Sequence, residues 1–249
     1  MEIINILWTG GLDSTYRVSE LCVKWSGIIQ PYYIKAKERN SAEYELNAIH
    51  KITGILRESF CTKAVLKDVI VIEESSILPD DNIKKARQVL SDKYALGSQY
   101  DFIARFLKQK RIEAEVGVMF TDRGKVSKCI GNADNRLIKF RENGVSYYKT
   151  NPDVVSVESQ AIFGNMRFPS SLMNKTKVEE REGLLALGLE EVYKSTWFCH
   201  TPVRGLPCGR CNPCKDAIAE GMPERVPLNG RLLGLIRAMH HRIINLFKK

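Results

Sequence analysis

The sequence predicts an α/β fold, a doubly wound and mostly parallel sheet, and three observations predict it. Residues 2–8 (EIINILW) are almost continuously apolar, as suits a strand covered on both faces. From about Ser14, the residues Tyr16, Val18, Leu21, Cys22 and Trp25 recur near a 3.6-residue period. The same strand-then-helix alternation continues to residue 121, which calls for right-handed crossovers between parallel strands.

The elements follow in order. GIIQPYYI, residues 27–34, reads as the second strand, and Asn40 with Glu43 as a capping box opening a helix through Leu46, Ile49 and Ile52. AVLKDVIVIEE, 64–74, reads as one third strand, residues 82–90 as a short helix, Ser98–Lys110 as another, and AEVGVMFT, 114–121, as the fourth strand. Beyond Thr121 the alternation stops. Asn143-Gly144, between LIKFR and VSYYK, marks a type I′ hairpin near 137–149, an excursion or edge ribbon. Thr176 with Glu179 forms a second capping box, starting a helix over Val178, Leu184, Leu185 and Leu187 that stops near Gly188.

The final stretch, GRLLGLIRAMHHRIINLFKK, carries Leu232, Ile236, Met239, Ile243 and Phe247 at helical spacing, with Arg237, Arg242 and Lys248 off that stripe. Docking of the stripe on the body or on a homodimer mate is the plain expectation; a partner-protein helix, an anionic membrane surface or an RNA backbone are the sharper ones.

Composition bounds the partners. The chain has 249 residues and a net charge of +9, and residues 225–249 hold six Lys or Arg and no acid. The body is nearly balanced, so charge gives no reason to expect a nucleic-acid groove, and RNA is disfavoured as a partner. Apolar runs such as VIVI at 69–72 are far too short to span a membrane. The first residues lack a secretory signal, and the expected location is cytoplasmic.

The joint between the first strand and helix carries the first chemical motif, Thr9-Gly10-Gly11-Leu12-Asp13-Ser14. A strand running straight into a helix presents free N–H groups at the carboxyl edge of the sheet, where such sheets bind ligands. Glycines let the backbone converge on a phosphate. A Walker loop needs Lys before its Ser or Thr, where this chain has Asp13, and the dinucleotide fingerprint needs a third glycine where this chain has Thr15. An acid in a phosphate cradle makes sense if Mg²⁺ accompanies the phosphates or pyrophosphate departs. The plain alternative is a tight turn with Asp13 or Ser14 as N-cap.

The second motif is a cluster of cysteines. Of seven, Cys199, Cys208, Cys211 and Cys214 fall within 16 positions, while Cys22, Cys61 and Cys129 stand alone as small buried side chains. C-x8-C-x2-C-x2-C offers four thiolates for a closed structural Zn²⁺ site. Iron–sulfur ligation is the rival, but the bacterial ferredoxin run ends in Cys-Pro, and Cys214 precedes Lys215. His200 adjoins the first cysteine and lies outside a complete shell.

The loop resembles SGGxDS of the N-type ATP pyrophosphatases, the PP-loop enzymes, with Thr9 for the first Ser. That resemblance implies the adenine nucleotide alpha hydrolase-like fold, ATP bound along Trp8, Thr9, Gly10, Gly11, Leu12, Asp13, Ser14 and Thr15, and a catalytic part for Asp13. Residues 176–214 resemble the C-terminal part of the 7-cyano-7-deazaguanine synthases of queuosine biosynthesis, in the order Thr176, Lys177, Glu179, Trp197, Cys199, Cys208, Gly209, Cys211, Cys214. The resemblance implies a ligase that uses ATP to adenylate 7-carboxy-7-deazaguanine. Ammonia then displaces AMP, and a second activation of the amide yields the nitrile. It also suggests Lys177 as a charge contact near the phosphates or the substrate carboxylate, beside the plain alternative of an exposed first-turn residue. The implied division is a nucleotide-binding domain at 1–195 and a zinc-binding region with terminal helix at 196–249.

The middle departs from those synthases. YYIKAKERN stands where they carry Tyr-Gly-Gln-Arg-His, LGSQY replaces an Arg-Asn pair, and ADNRLIKF stands for their Tyr-Pro-Asp-Cys-Arg segment. A divergent relative that passes a deazaguanine acid to a protein amine, as occurs in antiviral defence operons, is therefore the second expectation. A non-catalytic, zinc-stabilised nucleotide- or RNA-binding module is the third.

Overall fold

The computed structural model describes residues 2–37, 39–59, 61–118, 120, 124–173 and 175–247, with backbone alone for 241–247. Eight strands are present among them: β1 (Ile3–Leu7), β2 (Ile28–Lys35), β3 (Val65–Leu66), β4 (Ile70–Glu73), β5 (Ala114–Glu115), β6 (Leu137–Glu142), β7 (Val145–Thr150) and β8 (Met166–Pro169). They form one sheet of order β3-β2-β1-β5-β8-β7-β6, with β4 also paired to β2. Pairings among β1–β5 and between β5 and β8 are parallel, whereas β6–β7 and β7–β8 are antiparallel. The expected α/β class with a mostly parallel sheet is what the chain adopts.

The pleat explains the layers. Ile4 and Ile6 of β1 point into one apolar cluster and Leu7 into the other. The first cluster lies under α1 (Leu12–Lys24), α2 (Ala42–Glu58), α7 (Lys177–Ala186) and α8 (Glu190–Ser195), through Tyr16, Leu21, Ile49, Ile52, Leu184 and Val192. The second lies under α3 (Asp81–Tyr94), α4 (Gln99–Lys110), α5 (Lys125–Ile130) and α6 (Val157–Phe163), through Ile83, Phe102, Phe106, Val126 and Phe163. Each fully buried aliphatic or aromatic side chain contributes ~1.5–3 kcal/mol. After α8 come the cysteines, α9 (Asn212–Ala219) and α10 (Leu228–Phe247).

Several local expectations hold. Asn143 and Gly144 take φ of +52° and +76°, the two positive values that a type I′ turn requires. Thr176 and Glu179 form the reciprocal capping box that opens α7.

Others are corrected. The third strand is broken into β3 and β4 at Lys67–Val69. The cause lies in β2: the Ile29 carbonyl accepts from Lys67 N–H at 3.0 Å, and Pro31, two residues on and facing the same side, has no N–H to continue the ladder. The fourth strand ends at Glu115 instead of 121, and of its expected continuation Met119 and Thr121 lie outside the described residues. Asn40 does not cap α2; Ser41 precedes it in a helical conformation and donates its hydroxyl to Glu45 at 2.7 Å. The stripe of α10 does not dock on the body: Leu232, Ile236 and Met239 stay more than half exposed. The helix instead packs through Gly230 and Gly234, whose missing side chains leave room for the carbonyl oxygens of Pro207 and Cys208. Arg237 adds bonds to the carbonyls of Pro202 and Thr201 at 3.1 and 2.8 Å. The side chains of Arg242, Ile243 and Phe247, and all of Lys248 and Lys249, lie outside the described residues.

Candidate functional site

The glycine loop leaves the carboxyl end of β1 at the centre of the sheet. Gly10 has φ +70°, and a Cβ there would lie 2.9 Å from the Glu45 carbonyl oxygen and 3.2 Å from Ala48 Cβ of α2. Only glycine satisfies both the turn and the close helix. Gly11 is the N-cap of α1, and no side chain caps that end. Asp13 and Ser14 therefore stand inside the first turn, not at the cap, at the positive end of the helix dipole, with the side-chain-free Gly117 close against Ser14 N and Asp13 Cβ.

Two cavities meet on this loop. One, of about 370 Å³, is lined by Thr9, Gly11, Leu12 and Asp13 on one side and by Lys177, Trp197, Phe198, Glu220 and Arg225 on the other. The second, of about 310 Å³, runs over the sheet edge past Ser14, Leu7, Tyr32, Ile34, Phe102 and Val116. Thr9, Gly11, Asp13, Arg39 and His200 border both. The second mixes apolar and aromatic side chains, among them Leu7, Ile34, Tyr100 and Phe102, with the polar Asp13, Ser14, Arg39 and Gln99, and its rings could flank a flat heterocycle; the first is lined by more charged residues.

Lys177 reaches the loop. The capping box fixes the first turn of α7, and from there the Lys177 ammonium is hydrogen-bonded to Asp13 Oδ1 and lies 3.6 Å from Glu180 Oε2. Burial pulls the Lys177 ammonium below its ordinary value, with the charges of Glu180 and Glu220 opposing that. Burial pushes the Glu180 carboxyl up to about 7, partly offset by Lys177. Its Oε2 makes no hydrogen bond among the described residues. Burial likewise raises Glu220.

Two buried ion pairs, which sequence reasoning missed, frame the site. Arg39 donates to Glu45 Oε1 at 2.9 Å, and Glu45 also accepts from Tyr33 and Ser41 at 2.8 and 2.7 Å. Arg17 grips Glu115 with Nε and Nη2 at 2.6 and 2.8 Å, while Tyr147 donates to Glu115 at 2.7 Å and Glu20 takes Nη1 at 2.8 Å. Arg17 is on α1, Glu115 on β5 and Tyr147 on β7, so one network ties the helix behind the loop to both halves of the sheet. Spacing could not have found it, because its members are far apart in the chain.

The far wall of the first cavity is the cysteine region. Cys199, Cys208, Cys211 and Cys214 place their Sγ atoms within 4.8 Å of one another, with Cys199 and Cys211 at 3.8 Å. A metal holding four sulfurs at ~2.3 Å gives a tetrahedron with edges of ~3.8 Å, so the donor set fits zinc. The ten positions from Cys199 to Cys208 turn back at Arg204 and Gly205, φ +48° and +80°, beneath a Val203–Leu206 bridge. Backbone N–H groups of Arg210 and Cys211 point at Cys208 Sγ at 3.4 Å, and that of Cys208 at Cys199 Sγ at 3.2 Å. Such donors suit thiolates that carry charge. Four protein sulfurs would complete the tetrahedron of such an ion.

Of the residues expected to bind nucleotide, Thr9, Gly11 and Asp13 line both cavities, Leu12 the first, and Trp8 and Ser14 the second. Gly10 shapes the turn without lining either, and its carbonyl accepts from Trp197 N–H at 2.8 Å. Thr15 is fully buried and accepts from Trp8 Nε1 at 2.9 Å, supporting the loop from beneath. His200, expected outside the metal shell, borders both cavities. No protein-family model and no curated protein sequence matches this chain.

Proposed function

We propose that the chain is an ATP-dependent carbon–nitrogen ligase of the PP-loop type. It adenylates a carboxylate and passes the acyl group to an amine, with 7-carboxy-7-deazaguanine and ammonia as the substrates. One observation carries the reading: the glycine loop, with Asp13 and no side chain capping the helix that follows, is the shared wall of a cavity flanked by the rings of Tyr32, Tyr100 and Phe102 and of a second one rich in charged side chains. That is the layout for a base on one side of a triphosphate and an acid on the other.

In the first step a carboxylate oxygen attacks the α-phosphorus of ATP and the bond to the β-phosphate oxygen breaks, releasing pyrophosphate. The amine nitrogen then adds to the acyl carbonyl, loses a proton, and AMP departs with its oxygen. A second activation of the amide oxygen, followed by loss of AMP and a proton, gives the nitrile. Negative charge accumulates on the departing pyrophosphate, and the N–H groups at the start of α1, which no side chain caps, would offset it. Lys177 supplies a positive charge from across the cavity, and Arg39, held by Glu45, supplies another from the β2–α2 connection. Asp13 is the loop's carboxylate that would hold Mg²⁺, and the ion would supply charge neutralisation for the pyrophosphate, with Lys177 beside Asp13 as a second positive charge. The resemblance of residues 176–214 to the deazaguanine synthases supports this acid and amine.

The departures at YYIKAKERN, LGSQY and ADNRLIKF favour a second reading, the same activation with a protein amine as acceptor. Incubation of the protein with ATP, Mg²⁺, ammonia and 7-carboxy-7-deazaguanine separates them by mass spectrometry. Nitrile supports the first reading; adenylate that ammonia does not consume supports the second. Asp13→Ala should lower AMP release at least ~100-fold. Absence of AMP from the wild type with any acid offered would leave a nucleotide-binding module without turnover.

A further inference from the structure

The charged cavity holds three cations, and two of them are engaged. Lys177 is bound to Asp13 and Arg39 to Glu45. The third, Arg225, is fixed differently. It follows α9 in a short turn, Pro223–Arg225, and its guanidinium carbon lies 4.4 Å above the Phe198 ring and 5.3 Å from that of Tyr193. Nη2 donates to the carbonyl and the hydroxyl of Thr196 at 3.2 and 2.6 Å. Both bonds use the same nitrogen, and among the described residues Nε and Nη1 make no hydrogen bond, which leaves that edge of the fork for a ligand; Arg225 also borders a neighbouring cavity past Tyr44 and Lys51. Its neighbour Glu224 is turned to Tyr193 at 3.2 Å and Arg181 at 3.7 Å.

A guanidinium held against rings on the wall of a partly enclosed cavity is suited to one partner above others. Its planar fork matches two oxygens of a carboxylate, and removal from water strengthens the pair. Trp197 and Phe198 line the same cavity, and Trp197 is itself stacked on Tyr44 at 4.7 Å, so the walls beside Arg225 are rigid and flat. Thr9, Gly11 and Asp13 form the opposite wall.

We propose that Arg225 is the carboxylate receptor of the cavity, the residue that selects an acid with a planar ring and holds its carboxylate facing the glycine loop. This deepens the acyl-activating reading and rests on it for the acid's fate, though not for its binding. Arg225 is a specificity-determining residue here, and the cysteine region thereby forms part of the acid site as well as bracing it.

Benzoate and its neutral counterpart benzamide test the proposal on the full-length, metal-loaded protein by saturation-transfer NMR and calorimetry, with pyrophosphate as a third probe. The wild type should bind benzoate about 10-fold or more tightly than benzamide, Arg225→Met should abolish that preference, and Arg225→Lys should keep part of it. Pyrophosphate affinity should be unchanged in both variants. A wild type that does not prefer benzoate to benzamide overturns the receptor without any variant being needed. So does an Arg225→Met protein that retains the preference, or one that loses pyrophosphate instead. Zinc content and melting temperature show whether Arg225→Met keeps its fold; if it does not, the wild-type preference and Arg225→Lys decide. Selective benzoate binding without AMP release from ATP would sink the ligase reading and leave the receptor. AMP release without that selectivity would do the reverse.

Discussion

The glycine loop and the cysteine turn face each other across one cavity, yet they are held by opposite means. The loop stands on the main core, with Trp8, Leu12 and Tyr16 buried beneath it and the Arg17–Glu115 pair behind it. The cysteine turn has a small cluster of its own, formed by Cys199, Cys208, Cys214, Ala217 and Val226, three of which are metal-ligand candidates. A loop on a sheet inherits its shape from burial, whereas a turn of some sixteen residues with so little apolar support would draw much of its stability from an ion held by the four cysteines. One wall of the site is thus intrinsic to the fold and the other is conditional.

The largest expected effect breaks the conditional wall. Stripping the metal with a strong chelator, or Cys208→Ser, should remove about 10 kcal/mol of apparent folding free energy from residues 199–226. Trp197 fluorescence should shift to the red while far-UV circular dichroism of the sheet persists, and AMP release should vanish. Loss of the whole far-UV signal would show that the two walls fold as one unit.

Breaking the intrinsic wall comes next. Glu115→Gln leaves Arg17 buried with its main partner neutralised, and should cost about 3–5 kcal/mol in urea denaturation. Zinc stoichiometry should be unchanged, the mirror image of the chelation result. Gly10→Ala, forced into a left-handed turn against the Glu45 carbonyl, should cost about 1–3 kcal/mol and weaken ATP binding, measurable by calorimetry.

The smallest effect sharpens the boundary between the walls. Glu180 titrates near 7 because burial favours its neutral form, so the stability it contributes is complete below the ordinary carboxylate range. That contribution is lost as pH rises through about 7. Glu180→Gln stays neutral, and its stability relative to wild type should improve by about 1–2 kcal/mol between pH 5 and pH 8. A gap that does not change with pH would mean that Glu180 is ionised throughout.

What was legible in the sequence was local. The Asn143-Gly144 turn, the Thr176–Glu179 box and the spacing of the four cysteines each depend on residues within a few positions of one another. What was not legible depends on partners elsewhere. β8 has four residues and ends in Pro169, too short a pattern to read alone, and it exists because β5 and β7 flank it. The break between β3 and β4 is decided by Pro31 in another strand. Asn40 and Glu43 have capping spacing, but Ser41 and Arg39 are drawn to Glu45, which is itself fixed by Tyr33. Lys177 shows both sides: its place in the first turn follows from its neighbours, and its contact with Asp13 from the packing of α7 on α1.

The hydrogen bond from Trp197 to the Gly10 carbonyl has a consequence for biogenesis. During synthesis the first strand and helix emerge early, and the loop can form while most of the sheet is still untranslated. Its far side must wait until Trp197 and the cysteines have cleared the ribosome. A nascent chain can therefore display the glycine loop well before it can close a cavity over it, and if the four cysteines take up a metal, its supply during translation would set when that closure happens.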